Sequence, residues 1–267
     1  MIHETAIIEK GAQIGTNVSI GAYAIIEGNT TIGDNTIVAS HAIIHKNTEI
    51  AQDCIIDNFA VIGGDPQDIS FNRDNVSGVK IGAGTIIREH VTIHRASVKN
   101  TSTIVGNNCY IMACAHIGHD CLVKDHVILA NCALLGGFVQ IDNHCFIGGG
   151  ASVHQHVHIG EYTILGGYSA TSLDLPPYTM AAGPSSVIGL NLVGLKRANW
   201  SSAQIAELKK CLALIYNTSG KYSEVAQQIL ESNDLKFSES KNFLNFFISN
   251  GEHGIAPLRS KKGHKKH

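Results

Sequence analysis

Large aliphatic side chains recur at every sixth position, at Ile2, Ile8, Ile14, Ile20 and Ile26 and on through Ile32, Val38, Ile44, Ile50, Ile56 and Ile62. The beat returns at Ile81, Ile87 and Ile93 and then runs unbroken from Val105 and Ile111 to Ile159 and Leu165. Neither the helical period nor the alternation of a half-buried strand gives this spacing. A fixed six-residue repeat predicts a parallel β-helix, in which each repeat is one short strand plus one corner. Three repeats make a triangular coil, with the aliphatic residue pointing inward and stacking on its equivalents above and below. Many beat residues are followed by Gly, as at Gly15, Gly33, Gly106 and Gly118, and the remainder is rich in Asn and Asp. Those residues suit corners, where some positions need positive φ. About nine coils at strand spacing would form a prism on the order of 45 Å long.

The beat breaks between Ile62 and Ile81, where Gly64-Asp65-Pro66-Gln67-Asp68-Ile69-Ser70 opens a polar, turn-rich insert. A loop held at both ends by a rigid scaffold is a common seat of function. A second irregular stretch, His94-Arg95-Ala96-Ser97-Val98-Lys99-Asn100, follows Ile93. Leu175-Pro176-Pro177-Tyr178 is expected to end the solenoid, because two prolines cannot continue a ladder. Beyond it the pattern turns helical: a short helix over Asn191 to Arg197, one over Ser201 to Tyr216 with a Ser201/Gln204 capping box, and two more over Ser223 to Leu230 and Ser238 to Ile248. The expected divisions are a β-helix over 1–180, an α-helical domain over 181–257 and a basic tail over 258–267, read as solvated and mobile.

The formal charge is −2, but the last ten residues carry five cations and no acid, leaving −7 on the rest. No apolar run is long enough for a transmembrane helix. The chain starts on its beat at Met1-Ile2-His3, which leaves no room for a signal peptide. Seven cysteines without a CxxC pair suit free thiols in a reducing cytoplasm, most of them small buried side chains. Nothing in the charge pattern calls for nucleic acid.

Candidate chemistry centres on histidine. There are 15, and three groups stand out: His90 with His94, His116 with His119, and His154 with His156 and His158. A general base is one reading, since imidazole is matched to neutral pH. A metal site is another, and plain surface histidines are the third. The alternating spacing of His154-x-His156-x-His158 would put all three on one face of an extended strand, but no carboxylate or Cys is placed to complete a metal site.

Several motifs occur in order: Gln67-Asp68, Val91-Thr92-Ile93-His94-Arg95, Ala115-His116-Ile117-Gly118-His119-Asp120, Ala151-Ser152-Val153-His154-Gln155, and Asn191-Leu192-Val193-Gly194-Leu195-Lys196-Arg197. Together they resemble the acyl-ACP–UDP-N-acetylglucosamine O-acyltransferase family, over essentially the whole chain. The hexapeptide repeat alone is unspecific; the joint occurrence of these motifs is specific. The resemblance implies a mainly β fold, a left-handed parallel β-helix followed by a small C-terminal α-helical domain. The handedness comes from the resemblance, since parallel crossovers are generally right-handed. It implies transfer of a 3-hydroxyacyl chain from acyl carrier protein to the 3-position of a UDP-sugar, the first step of lipid A synthesis. No cofactor and no metal are implied, and no stable membrane insertion.

By the same resemblance His119 is the general base, and the backbone N–H of Gly137 is the oxyanion donor; Asp120 orients the base. Gln67, Asp68, His94 and His116 hold the sugar and the reacting groups, His154 and Gln155 lie near the nucleotide, and Asn191 and Arg197 contact nucleotide and diphosphate. Gly149, Ile164 and Gly167 line the acyl groove. A cytoplasmic homotrimer is implied, with the site between neighbouring prisms. Acyl carrier protein is acidic, so Lys196-Arg197 and the basic tail are candidate attractors for it.

The sequence also departs from the family pattern. Ser70, Phe138, Val193 and Ala198 stand where many members carry Lys, His, Glu and Arg. Loss of a cation at Ser70 would fit an acceptor that itself brings an amine, so the 3-amino analogue of the sugar is a second expected acceptor. Rival readings are a metal-dependent trimeric solenoid like the γ-type carbonic anhydrases, and a catalytically inactive solenoid. The N-acyltransferase of the same pathway is a third, but it carries an additional N-terminal uridine-binding domain.

Overall fold

The computed structural model describes residues 1–232, 234–249 and 254–259. Residues 1–190 wind into a left-handed parallel β-helix with three flat faces. The first face has nine strands, from Ile7–Ile8 to Ala170–Thr171; the second has eight, from Gln13–Ile14 to His158–Ile159; the third has ten, starting at Ser19–Ile20. Most strands are two residues long, and the beat residue is the inward one. The column Ile26, Ile44, Ile62, Ile93, Ile117 and Leu135 on the first face is sealed from solvent, each residue at most 1% exposed. The right-handed rule for crossovers rests on twisted strands feeding a helix back onto the sheet. Two-residue strands with no crossover helix do not meet that condition.

Each corner turns on one residue with positive φ, three positions after the beat residue, and that residue is usually not Gly. Asn17, Tyr23, Asn29, Asn35, His41 and Asn47 run in sequence with φ between 57 and 63°. Asn tolerates this region better than most residues, and the Asn positions bond up the stack: Asn29 Nδ2 donates to Asn47 Oδ1 at 2.6 Å. The glycines after the beat serve a different need from the one expected. Their φ is mostly ordinary, but a Cβ on Gly82 would lie 2.5 Å from Gly106 C, and one on Gly118 2.8 Å from Gly136 C. Gly is needed there because adjacent coils touch backbone to backbone.

A second inward position, two residues before the beat, is filled by small residues. Cys54, Cys109, Cys121 and Cys145 take it, and their thiols donate to carbonyls of the next coil, as Cys121 Sγ does to Gly136 O at 3.1 Å. Thr85 does the same with Gly106 O at 2.8 Å.

The prolines do not end the ladder. Leu175 bridges Ile159, Pro177 packs where Gly160 leaves room, and Thr179–Ala181 pairs in parallel with Ile164–Leu165. The two prolines occupy a corner, where no ladder N–H is required. Val187–Leu190 then folds back antiparallel on Thr179–Ala181, so residues 181–190 complete the third face. Four helices follow: α1 (Leu192–Arg197), α2 (Ser202–Asn217), α3 (Tyr222–Glu231) and α4 (Ser238–Ile248). Ser201 and Gln204 form the expected capping box on α2. A second core of Leu195, Leu208, Ile215, Ala226, Phe243 and Phe247 holds the helices together. Tyr178 belongs to that core, and its hydroxyl meets Glu161 and Asn242 where β-helix and helices join.

The described start of the expected tail, Leu258 and Arg259, is held by the β-helix. Leu258 bridges Val187, and the Arg259 guanidinium donates to Ala182 O at 2.9 Å. The remaining cations of that stretch, Lys261 to Lys266, lie outside the described residues. Among the described residues no helix is long and apolar enough to cross a membrane.

Candidate active site

On the first face the outward residue of each strand precedes the beat, so Thr92, His116, Leu134 and Ser152 stand in register on successive coils. The chain then runs into the corner, and there His119, Gly137 and Gln155 stack at the coil period. A cleft of about 670 Å³ runs along this edge, lined by Gln67, His94, His116, His119, Gly137 and His154 with Gln155 among others.

His119 is held from one side. Its Nδ1 lies 2.8 Å from Asp120 Oδ2, and the two side chains are 14% and 8% exposed. That carboxylate also accepts from Ser97 N at 2.8 Å and Ser97 Oγ at 2.6 Å. Burial alone would raise the Asp120 pKa, but the Ser97 and His119 donors outweigh it and hold the group below the usual carboxylate range. An ionised Asp120 requires the proton of neutral His119 on Nδ1, which leaves the Nε2 lone pair available. Phe138 stands edge-on to the ring at 5.3 Å and stacks on His156 at 4.7 Å. The imidazole lies over Gly137: a Cβ there would be 2.6 Å from Nε2. The Gly137 N–H has no acceptor among the described residues.

Two of the other three histidines of the cleft are in contact. His94 meets His116 edge-on at 4.7 Å. Burial, and then the neighbouring His116 and His119, bring the His94 pKa down to about 4. Burial, then His119, lowers that of His116. Both are neutral at pH 7, so they serve as hydrogen-bonding groups. His116 Nδ1 lies 2.8 Å from Thr92 Oγ1, while His94 Nδ1 is buried without a partner among the described residues.

The insert carrying Gln67 and Asp68 is pinned by Arg95, which is 4% exposed. Its guanidinium donates to Asp65 Oδ1 at 2.9 Å, Asn75 O at 2.6 Å, Arg73 O at 3.2 Å and Ser77 Oγ at 3.2 Å, and lies 4.8 Å from the Phe71 ring centroid. Asp68 is exposed and turned toward Ser70, whose N–H and hydroxyl both donate to Oδ1 at 2.8 Å; these bonds lower its pKa.

The other expected site residues lie elsewhere on the chain. Ile164, Asn191 and Arg197 line a separate cavity of about 460 Å³ on the third face, beside His126, His144 and Tyr162. Asn191 caps α1, accepting from Gly194 N at 2.9 Å and donating to Tyr162 O at 2.8 Å. It thereby sets the helix that ends in the exposed Arg197. Gly149 and Gly167 stack on the corner between the third and first faces, where a Cβ on Gly167 would meet Gly149 O at 3.3 Å. His154, His156 and His158 do not share a face. His156 turns a corner at φ 64°, and His158, on the second face, lies 3.0 Å from Asp142. Among the described residues no group of three or more His, Cys, Asp or Glu could hold a metal ion. Thr92 and Arg95 stand in the motif Val91-Thr92-Ile93-His94-Arg95 and Ser97 in the irregular stretch after it, but that they hold His116, the insert and Asp120 has no signal in the sequence.

A third cavity, about 620 Å³, lies among the helices and is lined by residues such as Ala206, Leu214 and Ile229, with no constellation suited to acyl transfer.

The hexapeptide family of bacterial transferases matches residues 11–46 and 102–137, and the second domain of the UDP-N-acetylglucosamine O-acyltransferases matches residues 174–256. An acyl-[acyl-carrier-protein]–UDP-N-acetylglucosamine O-acyltransferase from Paraburkholderia phymatum is 45% identical over 232 residues, 86% of this chain and 88% of that one. The enzyme of the same name from Gloeothece citriformis is 41% identical over 170 residues, 63% of this chain and 61% of that one. Among solved structures, LpxA from Acinetobacter baumannii superposes with a TM-score of 0.92 at 34% identity, covering 97% of this chain and 99% of that one. The UDP-N-acetylglucosamine acyltransferase from Campylobacter jejuni gives 0.90 at 35%, covering 97% and 100%.

Proposed function

The chain belongs to the acyl-[acyl-carrier-protein]–UDP-N-acetylglucosamine O-acyltransferase family, and from that premise we propose that it moves a 3-hydroxyacyl chain from acyl carrier protein to the 3-position of UDP-N-acetylglucosamine, opening lipid A synthesis. The observation that carries the mechanism is the His119 imidazole, anchored through Nδ1 by Asp120 and lying over the bare backbone of Gly137.

A hydroxyl is a poor nucleophile at neutral pH, so a positioned base is the main chemical aid. His119 Nε2 takes the proton of the sugar 3-hydroxyl as its oxygen attacks the thioester carbonyl. The unused Gly137 N–H offers a donor to the oxyanion of the tetrahedral intermediate. As the intermediate collapses the carbon–sulfur bond breaks, and the imidazolium returns its proton to the departing thiolate. Asp120 stabilises the imidazolium in between. Neutral His94 and His116 are suited to holding the sugar and the acyl group.

A homotrimer is supported by the division of the site residues. The base and its partners lie on the first face, while Arg197 and Ile164 lie on the third. One chain cannot bring them to one substrate, but the first face of one prism against the third face of the next does, and identical chains close such a contact into a ring. Arg197 suits a diphosphate because a guanidinium offers a fork of donors. The Gly149 and Gly167 corner leaves depth for the acyl chain, and exposed Lys196 and Arg197 are placed to attract acidic acyl carrier protein. All seven cysteines are free thiols, in keeping with a reducing cytoplasm.

A second acceptor reading rests on Asp68, which takes its hydrogen bonds from Ser70 rather than from a cation. An uncompensated carboxylate beside the cleft favours an acceptor that carries an amine, the 3-amino analogue. Mass spectrometry of products from a panel of acyl-carrier thioesters with both UDP-sugars decides between them. The expected product is an ester on the hydroxyl sugar; preferential amide formation would establish the second reading. His119→Ala is expected to lower kcat on the order of 10²–10⁴-fold. Full activity in that variant, or no acyl transfer by the native chain to either sugar, would refute the mechanism.

A further inference from the structure

The corner between the first and second faces turns on non-glycine residues of positive φ at Asn29, Asn47, Asn100, Asp120, Phe138 and His156. All but one are Asn, Asp or His, the types that enter this region most readily. Phe138, at φ 61°, is the exception at this corner. A bulky side chain held at such a φ is strained, and strain of this kind gathers at functional sites. The phenyl ring lies over the His156 imidazole, with centroids 4.7 Å apart and planes 5° from parallel. It meets the His119 ring at 5.3 Å and 89°. The main chain keeps the three in register: Phe138 N donates to His119 O at 2.9 Å and His156 N to Gly137 O at 3.0 Å. The cleft is lined by His119 and Gly137 but, among the described residues, not by the half-buried Phe138. The phenyl ring therefore touches the imidazole from behind the cleft.

We infer that Phe138 is a positioning residue for acyl transfer: its ring stops the His119 imidazole from tilting about the bond to Asp120, so that Nε2 stays aimed into the cleft. The inference rests on His119 being the base, as proposed above. The hydrogen bond from Nδ1 to Asp120 holds one end of the imidazole and leaves its plane free to swing. Gly137 cannot oppose that swing, because it has no side chain and a Cβ there would collide with the ring. An edge-to-face aromatic contact is directional and opposes it without a hydrogen bond. Phe138 has no side-chain donor or acceptor, so it draws neither Nε2 nor the Asp120 oxygens away from their partners. The stack on His156 in turn keeps the phenyl ring from rotating. No proton passes through Phe138; it acts only on where the imidazole lies.

The test is a double-mutant cycle on the full chain, with kcat, KM and the melting transition measured for His119→Ala, Phe138→Leu, Phe138→Tyr and the double variant His119→Ala/Phe138→Leu. Phe138→Leu keeps an apolar side chain at the same φ. It is expected to lower kcat about 3- to 10-fold, the rate equivalent of one edge contact, with KM for both substrates unchanged. Phe138→Tyr keeps the ring and is expected to keep the native kcat. In the His119→Ala background Phe138→Leu should lower kcat no further, because the ring acts through the imidazole. Phe138→Met carries the same comparison if the Leu variant does not fold. Native kcat in the Leu variant, an equal loss in the Tyr variant, or a loss that multiplies onto that of His119→Ala would overturn the inference. Full activity in His119→Ala alone is a separate failure, that of His119 as the base.

Discussion

Gly137→Ala isolates the geometry on which the mechanism rests. The added Cβ would lie 2.5 Å from His119 Cε1 and 2.6 Å from Nε2. Carbon atoms in good contact sit about 3.5–4.0 Å apart, so the ring must retreat by about 1 Å. It has little room to do so. Nδ1 is bonded to Asp120, and Asp120 is fixed by two donors from Ser97. A misplacement of about 1 Å at a reacting group costs on the order of 10²-fold in rate, or about 2.7 kcal/mol of transition-state stabilisation. The backbone adds no penalty, because Gly137 does not have positive φ. The expected result is a kcat about 100-fold down with the melting temperature within a few degrees of native. Steady-state kinetics with product mass detection gives kcat and KM, and a thermal melt on the same sample gives the fold. A folded Gly137→Ala variant with near-native kcat would show that the imidazole is not the base, or is not held where this geometry puts it.

Two further perturbations address the groups around the base. Arg95→Ala removes a buried cation from the carbonyls of Arg73 and Asn75 and from Asp65, whose side chain is 41% exposed and keeps Arg73, a loss of about 1–3 kcal/mol local to the insert. Protease cleavage within residues 65–77 and a raised KM for the UDP-sugar are expected, with poor rescue by Arg95→Lys because an ammonium cannot fork; an insert as resistant as native would contradict it. His94 has its folded pKa lowered from 6.5 to about 4. The unfolded chain therefore binds more protons between those values, so stability rises with pH across that window and is lost on acidification. His94→Gln should lose less melting temperature than native when acidified from about pH 6.5 to about pH 4; an identical slope in the two proteins would remove His94 as the cause.

The six-residue beat made the three faces legible because it acts at every coil; one slip would turn an inward residue outward. Helices α2 to α4 were legible for a similar reason: caps and apolar spacing are local. Features that depend on what lies one coil away were harder to see. The glycines after the beat looked like turn residues, yet Gly82 and Gly118 are required by the backbone stacked on them. The positions that do turn are held by Asn and Asp, as expected, but also by Tyr, Phe and Cys, whose positive φ no propensity would assign. Pro176 and Pro177 read as a stop because the ladder was imagined as continuous, whereas this fold has corners that need no N–H.

The site divides along the same line. His119 and Asp120 are neighbours in sequence, and Gly137 follows His119 by one coil period, so motif and repeat together place the imidazole over Gly137, the pair proposed as base and oxyanion donor. Arg95 is buried among residues that come together only in the folded insert, and its ion pair with the partly exposed Asp65 has no periodic signal. The hardest element to read is the relation between Arg197 and His119, because within one chain they occupy different faces. A solenoid displays its side chains outward on flat walls, so it cannot enclose a substrate as large as a nucleotide sugar with an acyl chain. On the function proposed above, the second wall is the third face of another copy, which carries Arg197 and Ile164.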